Sequence, residues 1–86
     1  MIHITLDGRD GMGAIHNQLS QALDFPDYYG KNLDALYDCL TEMSEDVSLT
    51  LKNRAALGAR GTALAETIRD AAAENPHICF LEEEGA

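Results

Sequence analysis

Four side chains on one predicted helix carry the chemistry this sequence offers: Asp34, Tyr37, Asp38 and Glu42. At 100° per residue, Leu33, Leu36, Leu40 and Met43 fall on one side, the apolar stripe of a packed helix. Asp34, Tyr37 and Asp38 fall on another side, with Glu42 at its edge. Two carboxylates four residues apart repel one another by roughly a few tenths of a kcal/mol. Asp34 sits in the first turn, where the helix N-terminus offsets part of that repulsion; Asp38 lies deeper and has no such compensation. Carboxylates held this way beside an aromatic ring suit a cationic partner, with which they form charge-assisted hydrogen bonds. This is binding chemistry. No Ser/His/Asp or Cys/His arrangement can be read along the chain, so catalysis is not expected.

The segment that must position these groups is F-P-D-Y-Y-G-K-N-L-D-A-L-Y-D-C-L-T, residues 25–41. Pro26 disfavours helical geometry in the residue before it and is expected to end the preceding helix. Tyr28, Tyr29 and Gly30 then form a turn, and Asn32 is a good N-cap for a helix running to about Glu42. Before this segment, residues 2–6 alternate Ile, His, Ile, Thr, Leu and read as a strand, and residues 7–13 as a turn. The helix that follows carries Met12, Ile15, Leu19, Ala22 and Leu23 at helical spacing. Beyond the acidic helix, residues 47–51 alternate strictly and predict a second strand. One short helical turn is expected at residues 53–57. Gly61 and Thr62 open a helix that buries Leu64, Ile68, Ala71 and Ala72, and Asn75-Pro76 stops it. Residues 77–81, H-I-C-F-L, are nearly continuously apolar, as in a strand covered on both faces. Strands separated by long, mainly helical stretches require crossovers. The expected fold is therefore a single α/β domain, a small three-stranded parallel sheet packed with helices in three layers.

Composition narrows the partner. Six Lys and Arg against fifteen Asp and Glu leave a formal net charge of −9 over 86 residues, which repels nucleic acid and anionic membranes and attracts basic proteins. Acidic surfaces also serve solubility alone, so the position of the charge matters more than its sum. Asp24, Asp27, Asp34, Asp38, Glu42, Glu45 and Asp46 form one block relieved only by Lys31. With 45% hydrophobic residues the chain can build a modest core. No stretch has the length of a membrane span, and the N-terminal residues lack the basic and apolar regions of a signal peptide. Cys39 and Cys79 are most simply two free thiols in a reducing cytoplasm.

Other chemistry is thin. G-R-D-G-M-G (residues 8–13) follows a strand and precedes a helix, but its glycines are spaced unlike a phosphate-binding loop, and Asp7 and Asp10 would repel phosphate. It reads as a structural turn. His3, His16 and His77 have no metal-ligand spacing, so packing is their expected role and neither metal nor cofactor is implied. Glu82, Glu83 and Glu84 read as a solvated tail.

The run Tyr-Tyr-Gly-x-Asn-Leu-Asp-Ala-Leu-x-Asp-Cys-Leu resembles the signature segment of the barstar family, small intracellular inhibitors of a bacterial extracellular ribonuclease. The similarity is closest over residues 23–41, and a looser match covers most of the chain. The resemblance implies the same α/β architecture and a barnase-like, basic extracellular-type ribonuclease as partner, bound one-to-one in the cytoplasm by a chain that is monomeric when free. It implies that a carboxylate at the position of Asp38 takes the place of a substrate phosphate in the enzyme's active site. Asp34 is implied as a second contact to cations and Tyr28 and Tyr29 as the family's loop aromatics, and Tyr37, Thr41 and Glu42 are expected to complete the face. Tyr29 can alternatively plug the core beneath the loop, and Asn32 can serve as cap, interface residue or both. Asp70 matches an acidic position on the family's last helix, where a longer Glu is usual. The departures are Tyr37 and Met43, where a well-known member carries Trp, and Glu42, where it carries Gly. They leave room for an interaction domain that binds a different basic partner in toxin immunity or regulation; a third reading, a small-ligand or metal-binding protein, would require a ligand at the Gly8–Gly13 turn.

Overall fold

Strict alternation at residues 2–6 and 47–51 produces what it predicts, two strands each with one apolar edge. In the computed structural model, which describes residues 1–83, Ile2–Asp7 (β1), Val47–Lys52 (β2) and Ile78–Glu83 (β3) form a parallel sheet in the order β1-β2-β3. The register pairs Ile4 with Leu49 and Leu49 with Phe80. Three helices connect and cover it: Met12–Ala22 (α1), Leu33–Thr41 (α2) and Ala59–Glu74 (α3). The central strand buries Val47, Leu49 and Leu51 completely against Leu6, Ile15, Leu19, Leu36, Leu40, Leu64 and Ile68. Each fully buried aliphatic side chain contributes about 1.5–3 kcal/mol of transfer free energy.

All three strands turn the same face inward. Residues of the opposite face, His3 and Thr5 on β1 and Cys79 and Leu81 on β3, are exposed, with Leu81 at 60%. The expectation that β3 is covered on both faces is therefore wrong: β3 is an edge strand with one open face, and its apolar run reflects composition more than burial. The three-glutamate tail is corrected as well. Glu82 and Glu83 belong to β3, where Glu82 meets Arg54 and Arg69, each at 3.1 Å, and Glu83 meets Lys52 at 3.6 Å. Glu84 lies outside the described residues. His3 and His77 are exposed rather than packed, and His77 Nδ1 lies 2.8 Å from Asp46 Oδ1.

The Gly8–Gly13 segment is a connector. A 3-10 turn, Gly8–Asp10, follows β1, and the Asp7 carboxylate accepts from the Arg9 backbone N–H at 2.9 Å and from Asn53 Nδ2 at 3.0 Å. The Arg9 hydrogen bonds come first among the causes that hold the Asp7 carboxyl well below the usual carboxylate range. A Cβ on Gly8 would run into the Asn53 carbonyl, so glycine lets the turn approach the 3-10 segment Arg54–Leu57.

Helix α3 begins at Ala59, two residues before the expected Gly61, because Gly58 at φ 63° turns the chain into it. Helix α1 ends at Ala22, which is exposed rather than part of the apolar face. Asp24, at φ 53°, takes the left-handed position, and the Phe25 N–H bonds the Ser20 carbonyl at 2.9 Å. This is a Schellman-type stop, so the helix ends before Pro26 acts.

Candidate functional site

Helix α2 is placed by its two ends. At the N-terminus, Asn32 Oδ1 accepts from the Ala35 N–H at 2.8 Å, while its Nδ2 lies 3.4 Å from the Gly30 carbonyl. Asn32 is a cap in this structure, with both ends of its amide directed at the local backbone. At the C-terminus the fastener is Asn75, the C-cap of α3, which is almost fully buried. Its Nδ2 donates to the carbonyls of Leu40 and Met43, each at 2.9 Å, and its Oδ1 accepts from the His77 N–H at 3.0 Å. One side chain thus ties α2 to α3 and to the start of β3. In the sequence Asn75-Pro76 reads only as a stop; an Asn that both closes a helix and reaches another has no local signature.

The loop before α2 differs from expectation. The turn is at Pro26–Tyr29, closed by the Tyr29 N–H on the Pro26 carbonyl at 2.9 Å, not at Tyr28–Gly30. Lys31, not Gly30, takes positive φ, at 52°. This geometry sends the two tyrosines opposite ways. Tyr28 is 87% exposed, whereas Tyr29 is 9% exposed and packs on Phe25 with ring centroids 4.9 Å apart. Tyr29 is therefore core rather than a projecting contact, the alternative its ring area allowed. Its hydroxyl lies 2.6 Å from Nδ1 of His16, itself 5% exposed.

Burial pushes the Tyr29 hydroxyl up to about 12, so it keeps its proton. It has no other hydrogen-bond partner among the described residues, and donation to Nδ1 of the Nε2–H tautomer satisfies it. Burial likewise lowers the His16 pKa below its ordinary 6.5, helped by the nearby Lys31 charge. The sign follows directly. As pH falls through 6.5 the unfolded chain takes up a proton that the folded imidazole still refuses, so stability is full above 6.5 and declines below it. Urea unfolding at pH 7.5 and 5.5 is expected to show a larger acid loss for the wild type than for His16→Gln. Equal losses would contradict this account.

The acidic face is assembled as the spacing implied. Asp34, Asp38 and Glu42 are exposed, and none has an ion-pair partner among the described residues. Tyr28, Asp38 and Glu42 border one cleft of about 290 Å³, with Pro26, Tyr29, Ala35 and Cys39 completing its wall. Asp34 stands one turn before Asp38 and outside that wall. Tyr37 is half-buried and packs against the core, so only part of its side chain is open to a partner. Thr41 is also half-buried, and its hydroxyl donates to the Asp38 carbonyl at 3.0 Å. Asp70 is exposed on α3, little more than one turn before the Asn75 junction. Both cysteines are free thiols. Burial, then Glu42 and Asp38, push the Cys39 thiol up, which makes it a poor nucleophile. Among the described residues no group of side chains has the makings of a metal site, and no helix is long and apolar enough to cross a membrane.

Comparison with known proteins decides the family. A family model described as "Barstar (barnase inhibitor)" matches residues 1–82. The chain belongs to the barstar family. It is also similar to the candidate ribonuclease inhibitor YrdF of Bacillus subtilis (strain 168), with 43% identity over 81 residues, covering 86% of this chain and 89% of that protein. The barstar family is one of inhibitors rather than enzymes. In this barstar-family chain the signature segment is the loop and helix that border the cleft.

Proposed function

We propose that this chain is an intracellular inhibitor of a basic, barnase-like ribonuclease, binding it one-to-one in the cytoplasm and blocking its active site with the loop and α2. The observation that carries the reading is the cleft edge where Tyr28, Asp38 and Glu42 meet, with no cation among the described residues paired to either carboxylate. A pocket built to hold phosphate presents Arg, Lys and His donors, and a carboxylate on a rigid helix can satisfy them without further ordering. Asp38 takes the phosphate position; Asp34 and Asp70 pair with flanking cations. Tyr28 supplies apolar cover from the loop, and the open part of Tyr37, with Thr41, closes the contact around Asp38. Tyr29 acts from beneath, by holding the loop, and Asn32 by capping α2.

Glu42 favours a second reading. It stands where a well-known family member has Gly and adds one more negative charge to the cleft, which suits an interaction domain for a different basic partner in immunity or regulation.

With a net charge of −9 the encounter should be electrostatically steered. The association rate with a basic ribonuclease is expected to fall by roughly tenfold or more between about 20 mM and 300 mM salt, as the Debye length drops below the size of the acidic face. Stopped-flow mixing measures it. A salt-independent rate would remove steering from the mechanism.

A further inference from the structure

The six cations of the chain are not equivalent. Arg9 pairs with Asp7, Lys52 with Glu83, and Arg54 and Arg69 both with Glu82. Lys31 and Arg60 have no ion-pair partner among the described residues, and both line one open cavity of about 390 Å³. Met12, Gly13, Leu33 and Ala63 supply its mainly apolar wall, and no carboxylate among the described residues lines it. In a chain this acidic, a cavity edged by the two unpaired cations is a local reversal of sign.

The first turns of all three helices meet there: Met12 and Gly13 open α1, Leu33 opens α2 and Arg60 lies in the first turn of α3. The N-caps of α1 and α3 are Gly11 and Gly58, and neither provides a side-chain cap. The first two amides of each have no acceptor among the described residues, whereas the third amide of α3, Gly61, donates to the Gly58 carbonyl at 3.0 Å. A second, independent feature points the same way. His16 lines this cavity although its residue is 5% exposed. Tyr29 occupies its Nδ1, and its Nε2 has no hydrogen-bond partner among the described residues. With the Tyr29 hydroxyl donating to Nδ1, the imidazole proton sits on Nε2, a donor at the cavity wall with no acceptor among the described residues.

We infer that this cavity binds a small organic anion, its oxyanion head held by Lys31, Arg60 and the His16 Nε2–H, its apolar body against Met12, Leu33 and Ala63. The volume suits a ligand of about one ring, near the lower end of small-molecule sites. The site lies at the far end of α2 from Glu42 and does not rest on ribonuclease inhibition.

The test is ¹H–¹⁵N NMR titration of the full chain with phenyl phosphate, benzoate, phenol and inorganic phosphate. At least one aryl anion should shift the amides of Gly13, Asn32 and Ala63 saturably, and the tighter of the two names the head group. Phenol and inorganic phosphate should each bind at least about tenfold more weakly. Replacing both cations (Lys31→Gln with Arg60→Gln) should weaken binding by about tenfold or more. Ala63→Phe, which fills the apolar part, should abolish binding while both cations remain. The His16 pKa, read from its ring resonances, should rise on binding. No saturable shift by either aryl anion, or equal affinity in the double variant, would overturn the inference. So would inorganic phosphate binding as tightly as the aryl anions.

Discussion

Asp38→Ala is expected to weaken binding to the target ribonuclease by at least about 2 kcal/mol, roughly thirtyfold in Kd, and to leave folding stability unchanged. Removing one member of a buried interfacial charge pair costs about 2–5 kcal/mol, because the partner's charge stays desolvated and unpaired; barstar's own complex with barnase helped to define that range. Asp38 is exposed in the free chain and has no ion pair among the described residues, so little of the folded state depends on it. Like-charged Asp34 and Glu42 stand one turn to either side, so its removal also relieves a small repulsion. Calorimetric binding beside urea unfolding separates the two effects. Wild-type affinity in the variant would remove Asp38 from the centre of the interface; a large loss of stability would make it structural.

The largest effect on folding is expected at Asn75. Asn75→Ala deletes the donor shared by the Leu40 and Met43 carbonyls and the acceptor of the His77 N–H, all at a site almost closed to water. Buried partners left without hydrogen bonds cost about 1–3 kcal/mol each when water cannot replace the lost group, so a total of about 2–4 kcal/mol is expected after partial relaxation. Against a typical domain stability of about 5–15 kcal/mol that is a large share. Asn75→Asp keeps the acceptor but turns a carboxylate toward two carbonyls, and should be at least as unstable as the alanine variant. Urea unfolding of both measures this. A change under about 0.5 kcal/mol in either would show that α2 is held by its apolar stripe alone.

Much of the architecture was legible because period and burial agree. Ile4, Leu6, Leu49 and Leu51 alternate and are buried, and Leu36 and Leu40 recur at helical spacing and are buried. Asn32 was read as a cap and is one. The acidic face was legible for the same reason: helical spacing places Asp34 and Asp38 on one side whatever lies around them. Misreadings arose where a local rule gave way to a distant contact. His77 to Leu81 look like an interior strand, but whether a second layer covers it is a property of the whole fold. Glu82 looks like tail until Arg54 and Arg69 meet it from elsewhere in the chain. Asp24 at left-handed φ ends α1 where Pro26 seemed sufficient. Tyr28 and Tyr29 are alike in type and adjacent. Only the turn that places Tyr29 against His16 and Phe25 separates contact from core.

The central claim, that the loop and α2 close a ribonuclease active site, is tested most directly by titrating the activity of a barnase-like ribonuclease with this chain at low salt. The account predicts a linear loss of activity ending at one inhibitor per enzyme, with a mononucleotide phosphate competing for the site. Full activity in the presence of excess inhibitor would contradict it, as would inhibition that a mononucleotide phosphate leaves untouched.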